Sequence, residues 1–314
     1  MTDISPIAIV VAMAEEMAHL EGLPRAYGAT WDGREEHGPR RFDRVTFNGI
    51  PLVLTTSGMG MVAAGATTEA VIDRYQPRAV LNYGCTGAHR EDILVGDVVV
   101  GTACIAADHG RLRPGGRFEY RPARLFADGK HHDVDAFPVG DALFAVAESV
   151  AGSGRWQREP WPEAHWPQGI PHRAPRVWFG PVASADRFTQ DADALRALHA
   201  QHATLCEDME AAAIAQICTL HDVPFLTVKD ISNNEFHAVS TFGEDGTFTA
   251  LERELGKRAG SFLYAVLERL AENEMLSAKY IGRYPFLIAR CSLLLLVACR
   301  ARCARRHRGV SLTK

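Results

Sequence analysis

The chain has 314 residues, 47 % of them hydrophobic and 23 % charged. These are the proportions of an ordinary soluble globular protein, long enough for one large α/β domain or two small ones. The net charge of −4 conceals a split: residues 275–314 hold nine Lys or Arg and no Asp or Glu, which leaves residues 1–274 with 25 basic against 38 acidic side chains. An acidic body argues against nucleic acid as a partner, because phosphate binding needs a basic face.

In chain order, Ile7–Ala12 is a continuous apolar run rich in β-branched residues and reads as a central, parallel strand buried on both faces. Val45–Phe47 and Leu52–Thr56 flank Asn48-Gly49 and predict a hairpin. Ser57-Gly58-Met59-Gly60 then opens a helix from Met61 to about Tyr75, stopped near Pro77. Ala79–Tyr83 is a buried strand followed by Gly84-Cys85-Thr86-Gly87, and Val95–Ala103 is another strand. The polar stretch Ala107–Val139 reads as a long loop, and Asp141–Val150 as a helix. Ala151–Pro175 carries five prolines, three tryptophans and two histidines, and predicts an irregular insertion. Val177–Ala183 is a strand, Glu210–Leu220 an alanine-rich helix, Pro224–Lys229 a strand, and Leu251–Asn273 an amphipathic closing helix. Strands alternating with helices predict one α/β domain over residues 1–274 with a mostly parallel sheet.

Several features carry no site. Seven cysteines without a CxxC pair read as free thiols in a reducing cytosol. The histidines at 109, 131, 132 and 172 lack metal-ligand spacing, so no metal and no cofactor are expected. Asp3 and the glutamates after the first apolar run do not form a secretory signal. Phe286–Cys299 is interrupted by Arg290 and is shorter than the ~20 apolar residues of a membrane span. The segment 275–314 is therefore read as an extension dispensable for catalysis, with a basic amphipathic membrane anchor as the alternative.

In an open α/β sheet, ligands bind where strands end. Four strand ends carry unusual residues: Ala12-Met13-Ala14-Glu15-Glu16, Ser57-Gly58-Met59-Gly60, Gly84-Cys85-Thr86-Gly87 and Ser232-Asn233-Asn234. Together with Val95-Gly96-Asp97 and the segment Asp208-Met209-Glu210-Ala211, this ordered set resembles the purine nucleoside phosphorylase/uridine phosphorylase superfamily over residues 5–272. Its branch of 5′-methylthioadenosine/S-adenosylhomocysteine nucleosidases is the most similar. The resemblance implies a three-layer αβα fold around a central, mostly parallel mixed sheet. It also implies N-glycosidic cleavage of a purine nucleoside through an oxocarbenium-like transition state.

Carried over residue by residue, the resemblance implies that Glu16 activates water and that Glu210 accepts hydrogen bonds from the ribose hydroxyls, with Met209 under the sugar. Phe188 would stack on the base, and Thr189 would present backbone groups to its edge. Met13, Gly60, Cys85, Thr86, Gly87 and Ser232 complete the substrate contacts. Read without the resemblance, Glu15 and Glu16 are first-turn helix acids favourable to the helix dipole, Asp208 and Glu210 start an Ala-rich helix, and Asn233 caps a turn. Two positions depart from the nucleosidase pattern. Asn233 stands where an aspartic acid donates a proton toward purine N7, and an amide can donate a hydrogen bond there but cannot transfer a proton. Asn at this place is similar to enzymes acting on 6-oxopurines. Lys229 replaces an arginine.

The positions that would hold phosphate in hexameric phosphorylases are Asn82 and Cys85, and a carboxylate at 16 repels an anion. The expected reaction is therefore hydrolysis. Phosphorolysis and a catalytically silent nucleoside-binding relative are the alternatives. The loops at 107–135 and 151–175 are expected to line or cover the 5′-substituent. By resemblance the protein is a cytoplasmic homodimer or larger homo-oligomer, without nucleic-acid or membrane partners.

Overall fold

The computed structural model describes residues 4–21, 29–156, 158–241 and 251–283, with side chains to residue 273. The apolar run Phe286–Cys299 and the cysteines at 291, 299 and 303 lie outside the described residues. Contacts divide the chain into a body through Arg269 and a second unit from Leu270, of which the helical stretch to Arg283 is described.

β1 (Ile7–Val11) is wholly buried and sits between β4 (Ile50–Thr56) and β5 (Ala79–Ala88), parallel to both. Its unbroken apolar sequence fits this place, where both faces are covered by protein. β4 turns back on β3 (Arg40–Phe47) through Asn48 and Gly49, both at positive φ, and β2 (Thr30–His37) adds an antiparallel edge.

β14 (Phe225–Asn233), buried along its whole length, runs parallel to β5 on one side and antiparallel to β6 (Val98–Ala106) on the other. β6 pairs parallel with β12 (Val177–Ser184), β12 pairs parallel with β13 (Cys206–Asp208), and β13 returns antiparallel to β5. The pairings β5–β14–β6–β12–β13–β5 thus close into a ring within the ten-stranded mixed sheet.

Helices complete the three-layer αβα architecture. α1 (Ala14–Glu21) packs on β1, and α2 (Met61–Tyr75) packs on α5 (Ala211–Leu220). Small residues allow the close approach: a Cβ at Gly65 would sit 3.9 Å from both Ala213 and Ile217. α3 (Asp141–Ser153) lies on β14 and β6. α4 (Ala192–His202) follows β12, its N-terminus capped by the Asp191 carboxylate. α6 (Lys257–Arg283) closes the body.

The structure corrects four readings. β5 and β14 continue through Gly84–Ala88 and Lys229–Asn233, because these residues keep the ladder between the two strands and stay mostly buried. The region 107–139 holds two small hairpins, β7 (Gly110–Leu112) with β8 (Phe118–Tyr120) and β9 (Ala123–Ala127) with β10 (Lys130–Val134), followed by the short β11 (Phe137–Pro138). Its polarity reflects exposure of these ribbons, not absence of structure. α4 and β2 had no counterpart among the expected elements. The closing helix begins at Lys257, because Leu255-Gly256 makes a turn with Gly256 at φ 70°, after a separate 3-10 turn at Glu252–Glu254.

Candidate active site

The carboxyl ends of β1, β4, β5, β12, β13 and β14 converge on one cavity. It is lined by Met13, Glu16, Cys85, Thr86, Gly87, Phe188, Thr189, Met209, Glu210, Ser232 and Asn233, all expected from the sequence. Ala12, Met59, Arg187, Glu207 and Asp208 complete the lining. Gly60 is tied to the wall through its N–H, which Glu210 Oε1 accepts at 2.8 Å.

Glu16 stands in the first turn of α1, yet its side chain turns inward and is 2 % exposed. Oε1 accepts the Cys85 N–H at 2.7 Å and Oε2 accepts the Met13 N–H at 3.2 Å. The approach depends on a glycine: a Cβ at Gly84 would fall 2.6 Å from Glu16 Oε1. Gly256 sits on the other flank, where a Cβ would lie 3.2 Å from Glu16 Cγ. Burial pushes the Glu16 carboxyl above its ordinary value, while Lys229 and the bonds from Cys85 and Met13 pull it back. A carboxyl tuned in this way is suited to take a proton near neutral pH.

Glu210 is the N-cap residue of α5 and 5 % exposed. Its Oε1 holds the first N–H of the α2 entry, and Oε2 accepts the Met209 N–H at 3.3 Å. Burial, reinforced by Asp208, raises its pKa from 4.5 to about 7, against the pull of Lys229. The neighbouring start of α2 is held by Asp186, which accepts the Met61 N–H at 2.7 Å.

Asp208 and Lys229 form an ion pair at 2.7 Å with both side chains buried. Asp208 also accepts the Ala211 N–H at 3.1 Å and the Ser184 hydroxyl, so it caps α5 as a helix-start acid does. Burial alone would lower the Lys229 pKa, but Asp208, Glu210 and Glu16 hold it above the ordinary lysine value. One buried cation therefore serves three carboxylates. Breaking such a pair by removing one partner costs about 3–5 kcal/mol. The sequence marked Lys229 only as a departure from arginine; its real signal is a lysine inside an otherwise apolar strand.

Asn233 lies at the end of β14, buried, with its Nδ2 close to Glu235 Oε1 at 3.5 Å and its Oδ1 accepting the Ser232 hydroxyl at 3.1 Å. A Cβ at Gly87 would be 2.9 Å from Asn233 Nδ2, so only glycine leaves room for this amide. Phe188 faces the cavity with 44 % of its surface exposed. The Thr189 N–H, expected to face a base, is donated to Glu207 Oε1 at 3.2 Å. The Cys85 thiol is pushed well above its ordinary value by burial and then by Glu16, the opposite of an activated nucleophile. The four cysteines among the described residues are free thiols.

The loops expected to cover the cavity contribute no lining residue to it. The 151–175 segment instead packs on the start of α6: Arg258 donates to the carbonyls of Glu159 and Pro160 and lies 5.0 Å from the Trp161 ring centre. Asp230, next to Lys229 on β14, accepts the Gly256 N–H at 3.0 Å and the Arg258 N–H at 2.9 Å. It anchors the turn that flanks Glu16, a role the sequence reading missed although a buried acid in an apolar strand was its sign.

Comparison with known proteins places the chain among relatives of one family. A 5′-methylthioadenosine/S-adenosylhomocysteine nucleosidase of Chromohalobacter salexigens is 27 % identical over 276 residues, covering 84 % of this chain and 97 % of the relative. The protein of the same name from Shewanella baltica is 28 % identical over 236 residues, covering 73 % and 84 %. The fold is shared with futalosine hydrolase of Helicobacter pylori, at a TM-score of 0.63 and 20 % identity over 84 % of this chain and 98 % of that one. The 5′-methylthioadenosine/S-adenosylhomocysteine nucleosidase of S. pneumoniae superposes with a TM-score of 0.62 at 23 % identity, covering 84 % and 99 %. The family model described as the phosphorylase superfamily matches residues 6–270, from the first strand into the closing helix, and the chain belongs to that superfamily.

Proposed function

We propose that the protein is a purine nucleosidase, which hydrolyses the N-glycosidic bond of a purine nucleoside to free base and ribosyl product. The observation that carries this reading is the meeting of Glu16, Glu210 and Asn233, remote in sequence, around one cavity. Glu16 orients and deprotonates the attacking water. Glu210 accepts hydrogen bonds from the ribose hydroxyls and stabilises the positive charge that develops on the sugar. Asn233 donates a hydrogen bond to the departing base without transferring a proton. Phe188 supplies a stacking face, worth about 1–3 kcal/mol in base recognition. Three of the proteins named above are 5′-methylthioadenosine/S-adenosylhomocysteine nucleosidases and one is a futalosine hydrolase, so nucleosides of those types, or 6-oxopurine nucleosides, are the substrates to test.

Phosphorolysis is the second reading, and the presence of Arg187 on the cavity wall is what favours it. Incubation with inosine, adenosine, 5′-methylthioadenosine and futalosine, with and without phosphate, separates the two. Free base released without phosphate supports the nucleosidase; a strict need for phosphate rejects it. The catalytic domain extends over residues 1–274 in this proposal. The protein works as a homodimer or larger homo-oligomer, consistent with the exposed Met59 and Val62 at the start of α2. The free thiols fit a cytoplasmic location. No helix among the described residues is long and apolar enough to cross a membrane.

A further inference from the structure

The grip on Glu16 is backed by residues that do not touch the cavity. The Met13 and Cys85 N–H groups hold its two oxygens, and the fully buried Leu255 packs in one cluster with Ala12 and Met13, with Cys85 set against it. The next residue, Gly256, lies on the Glu16 stem, where a Cβ would fall 3.2 Å from Cγ. The turn Leu255-Gly256 therefore backs the carboxylate and both of its donors.

Three side chains hold this turn. His19, one turn along α1 from Glu16, donates from Nε2 to the Leu255 carbonyl at 2.9 Å. Asp230 takes the Gly256 N–H on one carboxylate oxygen and the Arg258 N–H on the other. The third is Arg258, which is 1 % exposed, a depth at which arginine is found only when paired. Its Nε donates to the Glu159 carbonyl at 2.8 Å, and its Nη2 to the Pro160 carbonyl at 2.9 Å and to Glu254 at 2.7 Å. Gly96 makes room for it: a Cβ there would fall 3.1 Å from Arg258 Nε and 3.5 Å from Trp161 Cβ. The adjoining Asp97 ties down the far end of the same insertion. It accepts from the Arg173 guanidinium at 2.6 and 2.7 Å, from the Arg176 N–H at 2.8 Å and from the Trp178 indole at 3.0 Å. Residues 151–175 are thus moored at both ends by buried charges, and one mooring is the turn behind Glu16.

We propose that Arg258 is a positioning residue for the proposed hydrolysis: by tying the Leu255-Gly256 turn to Glu159 and Pro160 of the insertion, it fixes the carboxylate of Glu16. The inference rests on the reading of Glu16 as the base and gives the insertion a part in the reaction. A carboxylate held by two backbone donors is only as fixed as the residues that carry them. A misplacement of about 1 Å far from the chemistry can cost about 10²-fold in rate. Substrate affinity rests on Glu210, Phe188 and Asn233, none of which the turn touches. Loosening Arg258 therefore lowers kcat and spares binding.

The test uses the full chain with Arg258→Met, Arg258→Lys and Trp161→Leu, turnover being divided by the nucleoside-binding sites counted calorimetrically in the same sample. Arg258→Met is expected to lower kcat at least about tenfold with Kd within about threefold of the parent, and Arg258→Lys, which keeps the charge opposite Glu254, to lose less. Amide hydrogen exchange is the second readout. The Met13 and Cys85 amides, bonded to Glu16, should exchange about tenfold faster in Arg258→Met. The Val80 amide, in the same strand as Cys85 and bonded to the Pro224 carbonyl, should keep its rate. Equal acceleration of all three amides, an unchanged kcat per site, or a raised KM at constant kcat overturns the inference. If the parent hydrolyses no purine nucleoside, the nucleosidase reading falls and exchange alone decides: selective acceleration at Met13 and Cys85 supports the mooring of Glu16, and uniform acceleration overturns it. Arg258→Lys and Trp161→Leu carry the same comparisons if Arg258→Met does not fold; failure of all three to fold assigns Arg258 to the fold alone and overturns the inference.

Discussion

In the proposed reaction, Glu16 and Glu210 are one residue type given two tasks by its surroundings. Glu16 is gripped by two backbone N–H groups and wedged between Gly84 and Gly256, which fixes its direction. Its replacement by Gln keeps the shape and removes the base. Turnover of Glu16→Gln is expected to fall by at least ~10²-fold, the usual scale for losing a general base, with nucleoside affinity changed only a few-fold; steady-state kinetics beside calorimetry checks both. Glu210 titrates near neutrality, at about 7, because burial and Asp208 oppose its ionisation. Only the ionised form offers all its lone pairs to two sugar hydroxyls. Nucleoside binding should therefore tighten as pH rises from 6 to 8, and Glu210→Gln should abolish that dependence.

The same shift has a stability consequence of fixed sign. Folding raises the Glu210 pKa from 4.5 to about 7, so the folded chain keeps a proton that the unfolded chain has released. Its contribution is complete below about 4.5 and is lost as pH climbs toward 7, on the order of 3 kcal/mol from the size of the shift. Urea unfolding of the Glu210→Gln variant should show a shallower decline over that window than the parent. At this scale the glutamates and Asn233 were legible because each ends a recognisable motif. Lys229, Asp230 and Glu207 were not, because their roles arise from partners on other strands that no local pattern announces.

Among the elements, β14 does the most to position the site. It delivers Lys229 to Asp208, Asp230 to the start of α6, and Asn233 to the cavity, all within five residues of one buried strand. Alternation turns 229 and 230 to opposite faces, and a register shift between Ile231 and Asn233 breaks the alternation before Asn233. Asp230→Ala at pH 6 would leave the N–H groups of Gly256 and Arg258 without an acceptor. A loss of about 1–3 kcal/mol is expected from such a cap, read as a lower midpoint in chemical denaturation. The major strands and the helix Met61–Tyr75 were readable from apolar runs and from small residues bounded by Gly60 and Pro77. The hairpins of 107–139 escaped because β7, β8 and β10 bury no residue and only β9 alternates, through Ala123 and Leu125, although Asp128-Gly129, both at positive φ, marked one turn. The extension of β5 through Gly84–Ala88 escaped because glycines that normally punctuate loops here make room for Glu16 and Asn233.

For the molecule as a whole, the closed ring of strands sets the ends of β5, β12, β13 and β14 around one cavity beside those of the adjoining β1 and β4, which is how motifs spread over more than two hundred residues become one site. The fold class followed from strand–helix alternation, but the ring did not, since antiparallel returns such as β13 onto β5 involve only a few residues. Residues 284–314 lie beyond the family match, which stops at 270. Their removal is expected to leave turnover within twofold of the full chain, compared at equal concentration of active sites. The most direct test of the account is the fate of the attacking oxygen. A preferred purine nucleoside turned over in ¹⁸O-labelled water without phosphate should yield a ribosyl product carrying one ¹⁸O at C1, by mass spectrometry. A product that appears only with phosphate, as the ribosyl 1-phosphate and free of the label, contradicts attack by water activated at Glu16.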